Sequence, residues 1–428
     1  MELKRVVVTG LGALTPLGNN PEIFWDNLVR GVSGADEITR FDASKFKTRF
    51  ACEVKGFDVL EHIHRRDARR MDLFTQFAVV SSQQALKDAG LVAQGYETEG
   101  EEGKGNLNPD RAGVIWGCGI GGFQSFMDEA KNFHDGDGTP KFSPFFIPMM
   151  IPDIAAGQIS IRNGFRGPNY ATVSACASST HALIDSFNLI RLGKADVIVS
   201  GGSEAAVTEG AIGGFNALKA LSTRNEDPKS ASRPFDKTRD GFVLGEGAGA
   251  IILESLEHAE ARGAKIYCEM VGGGMSADAH HITAPHPEGL GATNVMKVTL
   301  EDAGMSPEDV DYVNVHGTST PLGDIAETQA IQKVFGESAY KLSISSTKSM
   351  TGHLLGAAGA IEAMACILAI VNGVIPPTIN HVHTDEGLDP ALDFTFNKAR
   401  KRDVNAALSN TFGFGGHNAS VLFKKYSK

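Results

Sequence analysis

Short runs of β-branched and apolar residues alternate along this chain with longer segments whose apolar positions recur every three to four residues. The runs are Arg5–Thr9, Gly113–Trp116, Ala171–Ser174, Val197–Ser200, Ala250–Leu253, Tyr267–Val271, Tyr312–Val315, Leu342–Ser345 and Ser420–Phe423. Their length and composition predict buried strands. Asp72–Asp88 and Pro321–Val334 predict helices, and Ala177–Arg191 predicts another that stops at Gly193. Strands alternating with helices predict an α/β architecture. Two stretches break the rhythm. Leu354–Val371 is almost continuously apolar and about as long as a short membrane span. Glu362 in its middle is costly in lipid, and Asn372-Gly373 with Pro376-Pro377 end it as a core helix ends. The segment Gly95 to Pro109 is polar and acidic, and a solvated surface insertion is expected there.

The two halves of the chain echo one another. Val-Ser-Ala-Cys176 leads into a helix of small and apolar residues, and Ser-Ser-Thr-Lys348-Ser-Met-Thr-Gly-His353 does the same later on. An internal duplication is expected, divided as 1–265 and 266–428. The 428 residues suffice for two or three domains, and 42% hydrophobic with 21% charged residues is an ordinary globular composition. A formal net charge of −11 argues against nucleic-acid or anionic-membrane partners. The five cysteines are odd in number, widely spaced and free of Cys-x-x-Cys pairs. They predict neither a disulfide framework nor a metal site, and fit a reducing cytoplasm. The N-terminus runs directly into a strand, without the pattern of a signal peptide.

Cys176 is placed where a strand turns into a helix. Helix N-terminal N–H groups favour an anion, so a lowered thiol pKa and a nucleophilic thiolate are expected. His316 follows a buried strand and precedes a Gly/Thr/Pro loop. His353 stands at the predicted start of the apolar helix, where the dipole would keep the imidazole neutral. Either histidine alone reads more often as a structural hydrogen-bonder. Together with a helix-start cysteine they point to thiol chemistry. The loop Asn410–His417 carries Gly413, Gly415 and Gly416, so its backbone N–H groups can approach an oxyanion, or it is only a mobile turn. Gly117–Gly122 matches Gly-x-Gly-x-x-Gly but lacks an acidic ribose partner, and no dinucleotide site is expected. The cluster Arg66, Arg69 and Arg70 falls on one helical face. It is either a solvated surface or a patch for an acidic partner.

Taken together, these motifs resemble the β-ketoacyl-acyl-carrier-protein synthases of bacterial fatty-acid synthesis, most closely the elongating type II members. The likeness runs from Arg5 to Lys424 and includes Ala220–Asn225, Ser232–Asp236, Arg239–Gly247 and both histidine motifs. It implies a thiolase fold, two similar βαβαβαββ halves stacked as five αβαβα layers, in a cytoplasmic homodimer without a cofactor or metal. By the same resemblance Cys176 accepts the acyl group, and His316 and His353 stabilise the enolate formed when a malonyl-carrier loses CO₂. Lys348 supports them, with Glu362 as its candidate partner. Phe414 is a gate and lends its backbone N–H, with that of Cys176, to an oxyanion hole. Ile120 and Phe215 line the acyl tunnel. Thr318 and Thr320 contact the pantetheine arm, and Thr283 is a further substrate contact. Arg66, Arg69, Arg70 and Lys219 dock the acyl-carrier protein. His417 stands where close relatives often carry threonine. A type I elongating synthase and a polyketide ketosynthase are the alternatives, ahead of an inactive chain-length partner subunit. A thiolase would need a second cysteine in Asn410–His417, and an initiating synthase would place asparagine where His353 stands.

Overall fold

The computed structural model describes residues 3–92 and 107–427. Ten strands form the main sheet: β1 Val6–Leu14, β2 Ala112–Gly117, β3 Asn169–Thr172, β4 Val197–Glu204, β5 Gly247–Ser255, β6 Cys268–Ala277, β7 Tyr312–Asn314, β8 Ser343–Ser345, β9 Ala406–Gly413 and β10 His417–Lys424. The first five run in the order β3-β2-β4-β5-β1, and the last five in the order β8-β7-β9-β10-β6. Numbered within its own half, each set reads third-second-fourth-fifth-first. The strand directions agree as well: the first three are parallel, and the fifth is antiparallel to both its neighbours. The loose sequence echo is therefore a repeated fold. The halves join where Val6–Val8 of β1 pair antiparallel with Cys268–Met270 of β6.

Six helices cover the sheet: α1 Leu73–Ala89, α2 Ile154–Asn163, α3 Ser178–Arg191, α4 Leu290–Ala303, α5 Pro321–Phe335 and α6 Ala358–Asn372. Alternate side chains of a strand point to opposite faces, and that alternation assigns the layers. Ile115, Ile198 and Ile251 of the first half and Tyr312, Ala407 and Val421 of the second share one core with α3 and α6. Val114, Trp116, Val199 and Ile252 face outward against α1 and α2. Val313, Leu408 and Leu422 face outward against α4 and α5. The result is five layers, αβαβα, with α3 and α6 in the middle. Strands buried on both faces read as continuous apolar runs, which is why the sequence marks them clearly.

The segment Leu355–Asn372 is long and apolar enough to cross a membrane, with mean hydropathy 1.8, yet it is 89% buried inside the protein. Its first three residues form a 3-10 turn, and the α-helix begins only at Ala358. Three expectations need correction. The run before Cys176 is not a buried strand: β3 stops at Thr172 and is an edge strand with Tyr170 39% exposed. The helix under the arginine cluster lasts one turn, Arg65–Ala68. Arg66 and Arg69 are exposed, whereas Arg70 is half-buried with its guanidinium 4.6 Å over the Phe145 ring. Of the acidic insertion, residues 95–106 lie outside the described residues, and Leu107 and Pro109 at its end are buried rather than solvated.

Candidate active site

Cys176 occupies the turn between β3 and α3. Ser178 builds that turn: its Oγ accepts from the Ser174 N–H at 2.9 Å and donates to the Ala175 carbonyl at 2.7 Å. Ala175 is held at φ 51°, a left-handed conformation that L-residues adopt at a cost. Across from it, β9 ends at Gly413, where a Cβ would lie 2.7 Å from the Ser174 carbonyl oxygen. Only glycine lets the second half approach this closely. The next N–H, that of Phe414, hydrogen-bonds the Cys176 sulfur.

His353 comes from the second half. Its N–H donates to the Val243 carbonyl at 2.7 Å and its own carbonyl accepts from the Gly245 N–H at 2.9 Å, which pins the backbone. The ring then places Nε2 3.0 Å from Cys176 Sγ. His316 follows β7, and its ring stands 5.3 Å from that of His353 at an interplanar angle of 87°. Glu327 of α5 holds the His316 loop by accepting from the His316 and Gly317 N–H groups, both at 2.9 Å. Lys348 and Glu362 form a buried ion pair beside the histidines.

Burial dominates the electrostatics. It pushes the Cys176 thiol up to about 12, although Lys348 and the Phe414 N–H pull the other way. The lowered pKa expected from the helix terminus is therefore overturned in the resting site. Burial, followed by Lys348, lowers both histidines well below their usual value. Both are neutral, as expected for His353, but not because of a helix terminus, since α6 starts five residues beyond it. Glu362 is raised to about 7 by burial, against the pull of Lys348.

These groups open onto a cavity of about 500 Å³. Its walls include Ile120, Phe215, Thr283, Thr318, Thr320 and Phe414, so every substrate residue expected from sequence lines it. Lys219 lines it as well and is exposed. The Phe414 and Phe215 rings are 6.5 Å apart. The Thr318 and Thr320 hydroxyls lie 3.0 Å from each other. His417 is exposed and does not line the cavity. It acts instead on His181, which burial and then His417 lower to about 4. Sequence reasoning missed Glu327 and also Glu204, whose buried carboxylate meets the cavity wall. Neither belongs to a reactive-residue pattern: Glu327 binds backbone N–H groups ten and eleven residues before it, and Glu204 binds N–H groups far away in the chain.

Two family models match most of the chain: the β-ketoacyl synthase N-terminal domain over residues 3–259 and its C-terminal domain over 267–382. This chain belongs to the β-ketoacyl synthases. It is 51% identical over 426 residues to a protein of Synechocystis sp. named 3-oxoacyl-[acyl-carrier-protein] synthase 2, covering 100% of this chain and 99% of the other. A protein of the same name from Staphylococcus aureus (strain N315) is 49% identical over 423 residues, with 99% of each covered. Among solved structures, a chain of a type II polyketide acyl-carrier protein complex with its ketosynthase superposes with a TM-score of 0.87 at 32% identity, covering 99% of this chain and 100% of the other. The thiolase-like fold and the acyltransferase class of this synthase follow from that membership.

Proposed function

We propose that this chain elongates fatty acyl groups by decarboxylative Claisen condensation on an acyl-carrier protein. The observation that carries the reading is the Cys176 Sγ to His353 Nε2 contact of 3.0 Å, with His316 alongside, at the bottom of an apolar cavity. In the first half-reaction the sulfur attacks an acyl thioester and gives up its proton. The new bond joins Sγ to the acyl carbon, the bond to the carrier sulfur breaks, and the carrier leaves as a thiol. The Phe414 and Cys176 N–H groups face the developing oxyanion. In the second, neutral His316 and His353 donate to the thioester oxygen of a malonyl-carrier. The bond to the carboxylate breaks, CO₂ leaves, and the electron pair remains as an enolate. Its carbon attacks the acyl-cysteine, the carbon–sulfur bond breaks, and one proton taken up restores the thiol.

Burial, with Lys348 held beside them by Glu362 as the second cause, keeps both rings uncharged, so neither is consumed as an acid. Ile120 and Phe215 bound the acyl tunnel, Thr318 and Thr320 meet the pantetheine arm, and Thr283 is a further substrate contact. Arg66, Arg69 and Lys219 receive the acidic carrier protein, with Arg70 held against Phe145 behind them, as the ketosynthase–carrier complex among its structural neighbours supports. The exposed edge strand β3 with Val173 and Ile161 fits a homodimer, and five unpaired cysteines fit a cytoplasmic enzyme.

Intact-mass analysis with acyl-carriers of several lengths, then malonyl-carrier, tests this reading. An acyl adduct on Cys176 that disappears as a β-ketoacyl-carrier two carbons longer forms is the expected result. The lengths used fastest separate the type II elongating synthase from the type I form and from a polyketide ketosynthase. A folded sample with neither adduct nor product would overturn the proposal in favour of an inactive chain-length subunit.

A further inference from the structure

Glu204 ends β4 and is fully buried. Its carboxylate accepts three backbone N–H bonds: Oε2 from Gly119 at 2.9 Å and from Gly356 at 3.0 Å, and Oε1 from Ile120 at 3.1 Å. The Cys118 thiol lies 3.6 Å from Oε1. No salt bridge to Glu204 is found among the described residues. A Cβ at Gly119 would come within 2.6 Å of Oε2, and one at Gly356 within 2.3 Å of the Gly119 nitrogen and 2.7 Å of Oε2, so both glycines let the carboxylate and the two backbones meet. A buried carboxylate held by N–H dipoles and one thiol, without a cation among the described residues, is costly in a low-dielectric interior.

Its position explains what the group accomplishes. Gly119 and Ile120 follow β2 in the first half and form the cavity wall. Gly356 lies in the 3-10 turn of the second half, three residues after His353 and next to Leu355, which also lines the cavity. One carboxylate thus ties the tunnel wall to the turn that follows the histidine. We propose that Glu204 is a positioning residue that fixes Ile120 and the His353 turn together, and so sets which acyl lengths reach Cys176. The inference rests on Cys176 as the acyl acceptor and Ile120 as tunnel wall.

The test compares wild type, Glu204→Gln and Ile120→Ala by intact mass, measuring the rate of Cys176 acylation across carrier-bound chains from short to long. Glutamine turns an N–H₂ toward backbone donors and releases at least one of the three bonds. The loosened wall should raise the long-to-short rate ratio by about fivefold or more, within what a pocket contact controls, with Ile120→Ala moving it the same way. If Ile120→Ala shifts the profile and a folded Glu204→Gln does not, or slows every length equally, the proposal is overturned. Should Glu204→Gln not fold, Glu204→Asp keeps the charge but withdraws it by one methylene, and the same comparison applies. A wild type without an adduct, or an Ile120→Ala profile unchanged from wild type, would remove the reading underneath and this proposal with it.

Discussion

Cys176, His316 and His353 lie in a site where desolvation outweighs every local charge, so all three rest uncharged. A neutral thiol facing a neutral imidazole can move its proton only as a substrate carbonyl arrives, which protects the cysteine from adventitious chemistry. The sign of the histidine shift gives a direct check. At about pH 6 a free histidine with a pKa of about 6.5 is mostly protonated, whereas these rings should show the ¹⁵N shifts of neutral imidazole. An unfolded chain takes up protons at these positions below about pH 6.5 and the native chain does not, so they contribute stability that is lost as the pH falls. His316→Gln should therefore flatten the decline of the urea midpoint in that acidic range. The two half-reactions also separate by residue. Cys176→Ala should abolish acyl transfer but leave malonyl-carrier decarboxylation measurable as CO₂ release. His316→Ala should lower that release by about 10²–10³-fold, the usual cost of one oxyanion donor; equal losses in both variants would reverse the roles.

Among the elements, α3 and α6 carry the site because they start where the two halves meet, and they touch along small residues. A Cβ at Gly359 would stand 2.0 Å from Thr180 Oγ1 and 3.0 Å from its backbone nitrogen, and Thr180 Oγ1 is bonded to Thr411 Oγ1 at 2.8 Å. Gly359→Ala should destabilise the protein by about 1–3 kcal/mol, the range for overpacking a core, and its urea midpoint measures this. The same helices show what the sequence reveals. The apolar run Leu354–Val371 reads as a core helix because a mid-segment glutamate needs a partner, and Lys348 supplies it. Its start is misplaced because Leu355–Ala357 are as apolar as the helix and hide the 3-10 turn. The run Ala171–Ser174 reads as a buried strand because an edge strand that awaits a partner has the composition of one already covered. Cys176, His316 and His353 are legible because their motifs are local. Glu204 and Glu327 are not, because what identifies them is the set of backbone N–H groups they meet after folding.

Phe126, Phe133, Phe142, Ile147, Ile161 and Val173 are exposed, and β3 offers an unpaired strand edge near Val173. An exposed apolar edge can serve as an association site, so if the proposed homodimer uses this edge, Val173→Glu with Ile161→Lys should shift the sedimenting mass toward monomer. The basic residues pose a separate problem, since a chain of net charge −11 repels an acidic carrier at long range. Arg66 and Arg69 project from a single helical turn, and Lys219 lies at the cavity mouth. At ordinary ionic strength the repulsion of the whole chain is screened beyond about 8–10 Å, while a local cluster still acts. Reversing Arg66 and Arg69 to glutamate should raise KM for acyl-carrier by about tenfold at low salt, narrowing as salt rises, with kcat nearly unchanged. Arg70→Glu should change stability more than KM, because its guanidinium is engaged with Phe145. A KM that does not respond to the Arg66 and Arg69 reversal at low salt would move the docking site away from this turn.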